Sequence, residues 1–204
     1  MPKEWDGAIS QLINRKFSRP TARFLANHTK ATPNQITILS FLVGVASGFF
    51  FYNHPLIGGL LAQISSILDG VDGDLAVFAE QTSSFGGFMD SLLDRYADAA
   101  ILIGMTYHVF SKQATIITIF VGFAALAGSF MVSYTRTRAK SDLGAVFKSG
   151  VSGYAANRDV RLFIVMLGGI FNQVFVCLVV LAVLTNFTVA TRMWNLYGHS
   201  GDES

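Results

Sequence analysis

Aspartates recur in two short stretches of an otherwise apolar sequence. Asp69 and Asp72 stand three residues apart, and Asp90, Asp94 and Asp98 stand four apart, with Arg95 among the second set. Read as helices, each spacing puts its carboxylates on one face. The connection between the two runs is short, so the helices are expected to be antiparallel neighbours whose acidic faces meet. Converging carboxylates repel: at 4 Å each pair costs roughly 4 kcal/mol at an effective dielectric of about 20. Arg95 offsets one of them at most. The economical partner for the rest is one or two hard divalent cations, because Mg²⁺ and Mn²⁺ favour carboxylate and phosphate oxygens. Asp74 and Asp98 look less central, as supporting groups or surface groups at a helix end. Gly73 and Ala76 follow the first pair, and Gly86-Gly87 precede the second. Small residues there let a phosphate or nucleotide approach the backbone, although close helix packing would ask for the same residues.

The elements that carry these residues are read as membrane spans. The 204-residue chain is 51% hydrophobic and only 14% charged, with a mean hydropathy of +0.47, whereas soluble domains carry about 25% charged residues. A helix needs about 20 apolar residues to cross the hydrocarbon core. Candidates run over residues 34–53, from 55 into the 70s, and over 85–110, 114–134, 162–171 and 173–194. The fifth has a short apolar part and is expected to begin near Asn157. Charged side chains inside a span cost about 2.5–3.5 kcal/mol each on insertion scales, which makes the aspartates functional candidates. Basic residues collect before the first span (Lys3, Arg15, Lys16, Arg19, Arg23, Lys30) and after the fourth (Arg136, Arg138, Lys140, Lys148, Arg158, Arg161). Arg192 lies in the tail, and the opposite loops hold only Lys112. The positive-inside rule then gives six spans with both termini cytoplasmic. The expected fold is an all-α membrane protein.

Residues 5–25 alternate apolar side chains (Ile9, Leu12, Ile13, Phe17) with basic ones, the pattern of a helix lying on an anionic leaflet. The expected organisation is thus an interfacial segment over 1–30, a transmembrane catalytic domain over 31–197 and a polar tail over 198–204. Thr32-Pro33 reads as a helix start. Gly44 and Gly48 form a GxxxG whose expected role is packing within the chain, with a homodimer contact as the alternative. Cys177 is the single cysteine, so neither a disulfide framework nor a thiolate metal site is expected. The first residues lack a short apolar core with a cleavage site, so targeting is expected to rest on the spans. No nucleic-acid partner is expected, and the four histidines receive no role.

The stretch from Asp69 to Asp94 resembles the signature of the CDP-alcohol phosphatidyltransferase family. Asp69, Asp72, Gly73, Ala76, Gly86, Asp90 and Asp94 stand in that register, and Val77 departs from it where the family usually has Arg. The similarity extends to Pro33-Asn34-Gln35-Ile36-Thr37 and to the number of spans. Within the family, the N-terminal segment and residues 68–75 look most like archaeal di-myo-inositol-phosphate-phosphate synthases. The resemblance implies a CDP-alcohol donor, an acceptor alcohol, release of CMP, and Mg²⁺ or Mn²⁺ as cofactor, two ions in number. By the same resemblance Asp69, Asp72 and Asp90 hold metal, and Asp94 is a ligand, the general base, or both. Gly73, Ala76, Gly86, Asn34 and Thr37 contact the nucleotide.

Arg136, Arg138 and Lys140 continue the fourth helix, and Arg158 and Arg161 open the fifth, on the side of the aspartates. Some serve topology or lipid headgroups. Together they suit an acceptor that is itself phosphorylated, such as inositol phosphate or glycerol phosphate. Competing readings of the aspartate cluster are a membrane prenyltransferase, a divalent-cation transporter and a family member that has lost activity. The expected location is the cell membrane, with the active site near its cytoplasmic face.

Overall fold

The computed structural model describes residues 14–144, 147 and 156–200. Among these it is all-helical, with seven helices: α1 (Arg15–His28), α2 (Pro33–Phe51), α3 (Pro55–Phe78), α4 (Ser84–Gln113), α5 (Ile116–Leu143), α6 (Arg158–Ile170) and α7 (Val174–Ser200). The helix starts follow local chemistry. Thr32 and Gln35 form a capping box ahead of α2, whose first residue is Pro33. The Ser83 hydroxyl accepts from the Gly86 amide to open α4. At its other end α5 stops at Gly144, which takes the left-handed conformation. Of these, α2, α5 and α7 are long and apolar enough to cross a membrane. In α3 and α4 the carboxylates interrupt the apolar run. With 13 residues, α6 is only about 20 Å long, less than a hydrocarbon core. The α7 helix continues to Ser200, beyond the expected end at Trp194.

One expectation about packing needs correction. Rather than packing as close neighbours, α3 and α4 touch only sparingly, and α2 packs against both. Small residues make this arrangement possible. Gly48 of α2 and Gly104 of α4 cross so closely that a Cβ on either would strike backbone of the other helix. A Cβ at Gly44 would come within 2.8 Å of the Ala97 Cβ. On the other side of α2, the Ser40 hydroxyl donates to the Ser65 carbonyl at 2.9 Å, and the Ser47 hydroxyl donates to the Gly58 carbonyl at 2.7 Å. The main core gathers Phe51, Ile101, Met105, Leu178 and Leu181. A smaller cluster of Ala22, Ile36, Val71 and Leu75 seals the end that carries the aspartates.

The amphipathic character of α1 has an inner side that the sequence did not disclose. Ser18 and Ala22 face α3, while Phe17 and Phe24 remain exposed. Asp74, expected at a surface or in support, is buried and ion-paired to Arg15. The Ser18 hydroxyl also donates to it at 2.8 Å. Below this pair, Asn14 donates to the Ser66 hydroxyl and accepts from the Gln63 amide, both at 2.9 Å. The part of the expected interfacial segment before Asn14 lies outside the described residues, as do Lys148 and residues 201–204.

Removing one partner of a buried ion pair strands the other charge, at a cost of about 3–5 kcal/mol. Arg15→Gln is therefore expected to lower the thermal midpoint in detergent micelles, followed by circular dichroism. Adding Asp74→Asn should recover more than half of that loss, since no stranded charge remains. Equal midpoints for all three proteins would remove the pair from the account of the fold.

Candidate active site

Carboxylates of α3 and α4 converge although the two helices pack directly only a little. One carboxylate oxygen each from Asp69, Asp72 and Asp90 lies within 4.8 Å of the others. Thr37, one turn into α2, donates to Asp72 Oδ2 at 2.7 Å and so fixes the orientation of that carboxylate. Asp90 Oδ1 is buried without a hydrogen-bond partner among the described residues. A buried acceptor left in this way costs about 1–3 kcal/mol, more when charged. An all-oxygen donor set with one orphaned oxygen fits a hard divalent cation.

Asp94 follows Asp90 by one turn but does not join this group. Its Oδ1 lies 3.1 Å from Arg158 Nη1, and its Oδ2 lies 3.4 Å from Arg95 Nη1. The same Arg158 nitrogen is 3.1 Å from Asp69 Oδ1. Asp98 is fully enclosed: Arg158 Nε donates to it at 3.2 Å and Arg161 Nη2 at 2.5 Å. Arg161 also donates to the Ala156 carbonyl at 2.9 Å. Two of the five cations expected to line an acceptor pocket, Arg158 and Arg161, thus also reach the aspartates.

The others divide further. Arg138 is exposed and pairs with Asp142 at 2.7 Å, one turn along α5. Lys140 is also exposed. Arg136 reaches the Asn157 side chain at 3.5 Å. The sequence reading missed Arg192, assigned there to topology. It is 1% exposed, donates to the Thr135 hydroxyl at 3.1 Å and to the Val132 carbonyl, and lies over the Phe147 ring. Arg136 and Arg161 are its like-charged neighbours. The signal was there: Leu181, Thr185, Thr188 and Arg192 recur at helical spacing, and all four are buried.

Beside the aspartate triad lies an open pocket of about 220 Å³. Asn34, Thr37, Gly73, Ala76 and Gly86, the five residues expected to meet a nucleotide, line it together with Asp72 and Asp90. A Cβ at Gly86 would come within 2.9 Å of Ser83 Oγ and 3.2 Å of Asn34 Oδ1, both side chains of the same lining. Val77 lines the pocket too and is half exposed. The arrangement can hold a cation at one wall and present small residues to an elongated anionic ligand along the others.

Residues 30–194 match the family described as CDP-alcohol phosphatidyltransferase. The chain is 39% identical over 201 residues to the bifunctional IPC transferase and DIPP synthase of Aquifex aeolicus, a match covering 97% of this chain and 46% of that protein. The chain thus spans less than half the length of that relative. It is 34% identical to the archaetidylinositol phosphate synthase of Pyrococcus horikoshii, over 80% of this chain and 82% of that one. Among solved structures, the Mycobacterium tuberculosis phosphatidylinositol phosphate synthase with CDP-DAG bound superposes with a TM-score of 0.73 at 24% identity. That match covers 87% of this chain and 92% of the other, and it bears on the fold.

Neutralising one member of a repelling cluster removes a candidate ligand without removing packing. Asp90→Asn is expected to weaken Mn²⁺ binding by at least about tenfold, read by isothermal titration. Its thermal midpoint in metal-free buffer should be unchanged or raised. Unaltered Mn²⁺ affinity would detach Asp90 from the metal site.

Proposed function

The chain belongs to the CDP-alcohol phosphatidyltransferase family, and from that premise we propose that it moves a phosphoalcohol group from a CDP-alcohol to an acceptor alcohol, releasing CMP. The observation that carries the reading is the pocket in which Asn34, Thr37, Gly73, Ala76 and Gly86 open directly onto Asp72 and Asp90. In this reading the nucleotide lies against those small and polar residues, with its diphosphate towards the carboxylates. Asp69, Asp72 and Asp90 hold Mg²⁺ or Mn²⁺, which when bound offsets charge on the diphosphate and on the departing phosphate oxygen. Thr37 acts by aiming Asp72 at the cation.

The acceptor hydroxyl oxygen attacks the phosphorus distal to the cytidine, the bond from that phosphorus to the bridging oxygen breaks, and CMP departs. Asp94 is the proposed base that takes the hydroxyl proton, since it is the next carboxylate along α4, one turn from Asp90. The names of the similar proteins point to inositol phosphates as the acceptor class. For the acceptor's phosphate we favour the region of Arg136 and Arg161. There the buried Arg192 adds a third guanidinium, and guanidinium geometry suits a bidentate phosphate contact. Arg158 stands at the border between this region and the aspartates, and Arg138 and Lys140 extend the positive surface outward. Val77, in place of the family Arg, leaves the diphosphate to rely more heavily on the cation.

The positive-inside pattern supports helices α2 to α7 as six crossings, with α6 completed by its neighbours, and both termini and the active site towards the cytoplasm. It equally supports α1 as the interfacial element, Phe17 and Phe24 facing lipid. The catalytic unit then occupies residues 31–197, between the interfacial segment of 1–30 and a polar tail.

The direct test is a CMP-release assay on the purified chain, with CDP-diacylglycerol, CDP-archaeol and CDP-inositol as donors against free and phosphorylated inositol. At least one pair should release CMP, EDTA should abolish the release, and Mg²⁺ or Mn²⁺ should restore it. Full turnover in metal-free buffer would contradict the metal reading. No CMP from any pair, by a protein that binds Mn²⁺, would mark a family member without this activity.

A further inference from the structure

Helix α1 is held to the bundle by a small inner face. Ser18 and Ala22 are the buried residues of its 14, and Pro20 inside it leaves one carbonyl without its helical amide. An isolated helix of about that length is marginal in water. Yet α1 backs the turn that carries the site. Asp69, Asp72, Gly73 and Ala76 share the front of α3, whereas Gly70, Val71, Asp74 and Leu75 lie on the other side. A Cβ at Gly70 would come within 3.2 Å of the Ser18 Cβ, and the Ser18 hydroxyl donates to Asp74 at 2.8 Å beside the Arg15 ion pair. Ala22 clusters with Val71, Leu75 and Ile36, the neighbour of Thr37. Arg23 lies over the Phe78 ring at the end of α3, 5.5 Å from its centre.

The outward sides of α1 differ in chemistry. Phe17 and Phe24, two turns apart, are 58% and 59% exposed. Lys16 and Arg23, also two turns apart, are exposed on an adjoining side, and no acidic residue stands in α1. Aromatic side chains that favour an apolar medium, next to cations that favour phosphates, fit the boundary between acyl chains and anionic headgroups. A soluble anion would account for the cations and leave the phenylalanines in water.

We propose that α1 is a buttress seated by anionic lipid. Lys16 and Arg23 engage headgroup phosphates, Phe17 and Phe24 enter the acyl boundary, and the helix so held keeps Ser18 and Arg15 against Asp74. That contact fixes the α3 turn that presents Asp72 and Gly73 to the pocket, which makes Ser18 and Arg15 positioning residues. This rests on the metal and nucleotide reading of the pocket for what the turn does, and adds to it the lipid class on which the turn's placement depends.

The test compares the full chain in nanodiscs of phosphatidylcholine alone and of phosphatidylcholine mixed with phosphatidylglycerol, by amide hydrogen exchange read with mass spectrometry. The anionic bilayer should slow exchange at least about tenfold over residues 15–28 of α1 and 69–78 of α3. With an active donor and acceptor at saturation it should also raise kcat at least about fivefold and leave the acceptor KM unchanged. Lys16→Gln with Arg23→Gln should show the phosphatidylcholine values in both bilayers. Lys16→Arg with Arg23→Lys keeps the charges and should respond like wild type. Equal wild-type exchange in the two bilayers would overturn the proposal, whatever the folding of the variants. Slowing of α1 without slowing over 69–78 would overturn it too. So would a lipid response that persists in the double Gln variant while its α4 to α7 exchange like wild type. The exchange measurement needs no turnover, so an absence of CMP from every pair would contradict the proposed function while exchange alone decides the buttress.

Discussion

Carboxylates gathered at one end of an apolar bundle repel one another, and each needs a partner of its own before the helices that carry them can stay together. The described structure supplies those partners one by one. Asp74 is turned away from the cluster and taken up by Arg15 and Ser18 of α1. Asp98 is enclosed by Arg158 and Arg161, and Asp94 by Arg158 and Arg95. Thr37 holds Asp72. What is left over is a small set of oxygens from Asp69, Asp72 and Asp90, one of them buried and unpartnered. The functional proposal follows from that remainder. A low-dielectric setting makes every such pairing strong and every omission costly.

The pairing holds only because the backbones are set by something else. Glycine and serine contacts let α2 approach α3 and α4 at once. The two acidic helices are thereby fixed relative to each other through α2, with little direct packing between them. That leaves the space between their acidic faces available to the pocket. It also explains why residues of α2, Asn34 and Thr37, line the same pocket as the glycines of α3 and α4. Small residues therefore divide by position. Gly44, Gly48 and Gly104 serve packing, and Gly86 serves the pocket.

The sequence made the helices and the two acidic faces legible because both follow one-dimensional rules, whereas the grouping of Asp69, Asp72 and Asp90 came from the family resemblance. Apolar run length marks spans, and spacings of three and four mark a helix face. It could not show that α2 would stand against both acidic helices, because that depends on which small residues face each other across three elements. Nor could it divide the cations. Arg138 and Arg161 look alike in sequence, yet one is exposed on α5 and the other is buried against Asp98. Arg192 was legible in principle from its buried stripe with Thr185 and Thr188. Its place near the chain end made a topology role the easier reading. Asp74 was misjudged for a similar reason, since its partners lie more than 50 residues away on α1.

Crystals of the chain grown with Mn²⁺ and measured at a wavelength where manganese scatters anomalously would test the central claim most directly. The account predicts an anomalous peak between α3 and α4, about 2.0–2.3 Å from carboxylate oxygens of Asp69, Asp72 and Asp90, with Asp90 Oδ1 among its ligands. A well-occupied manganese elsewhere, with these three carboxylates holding only water or one another, would contradict it.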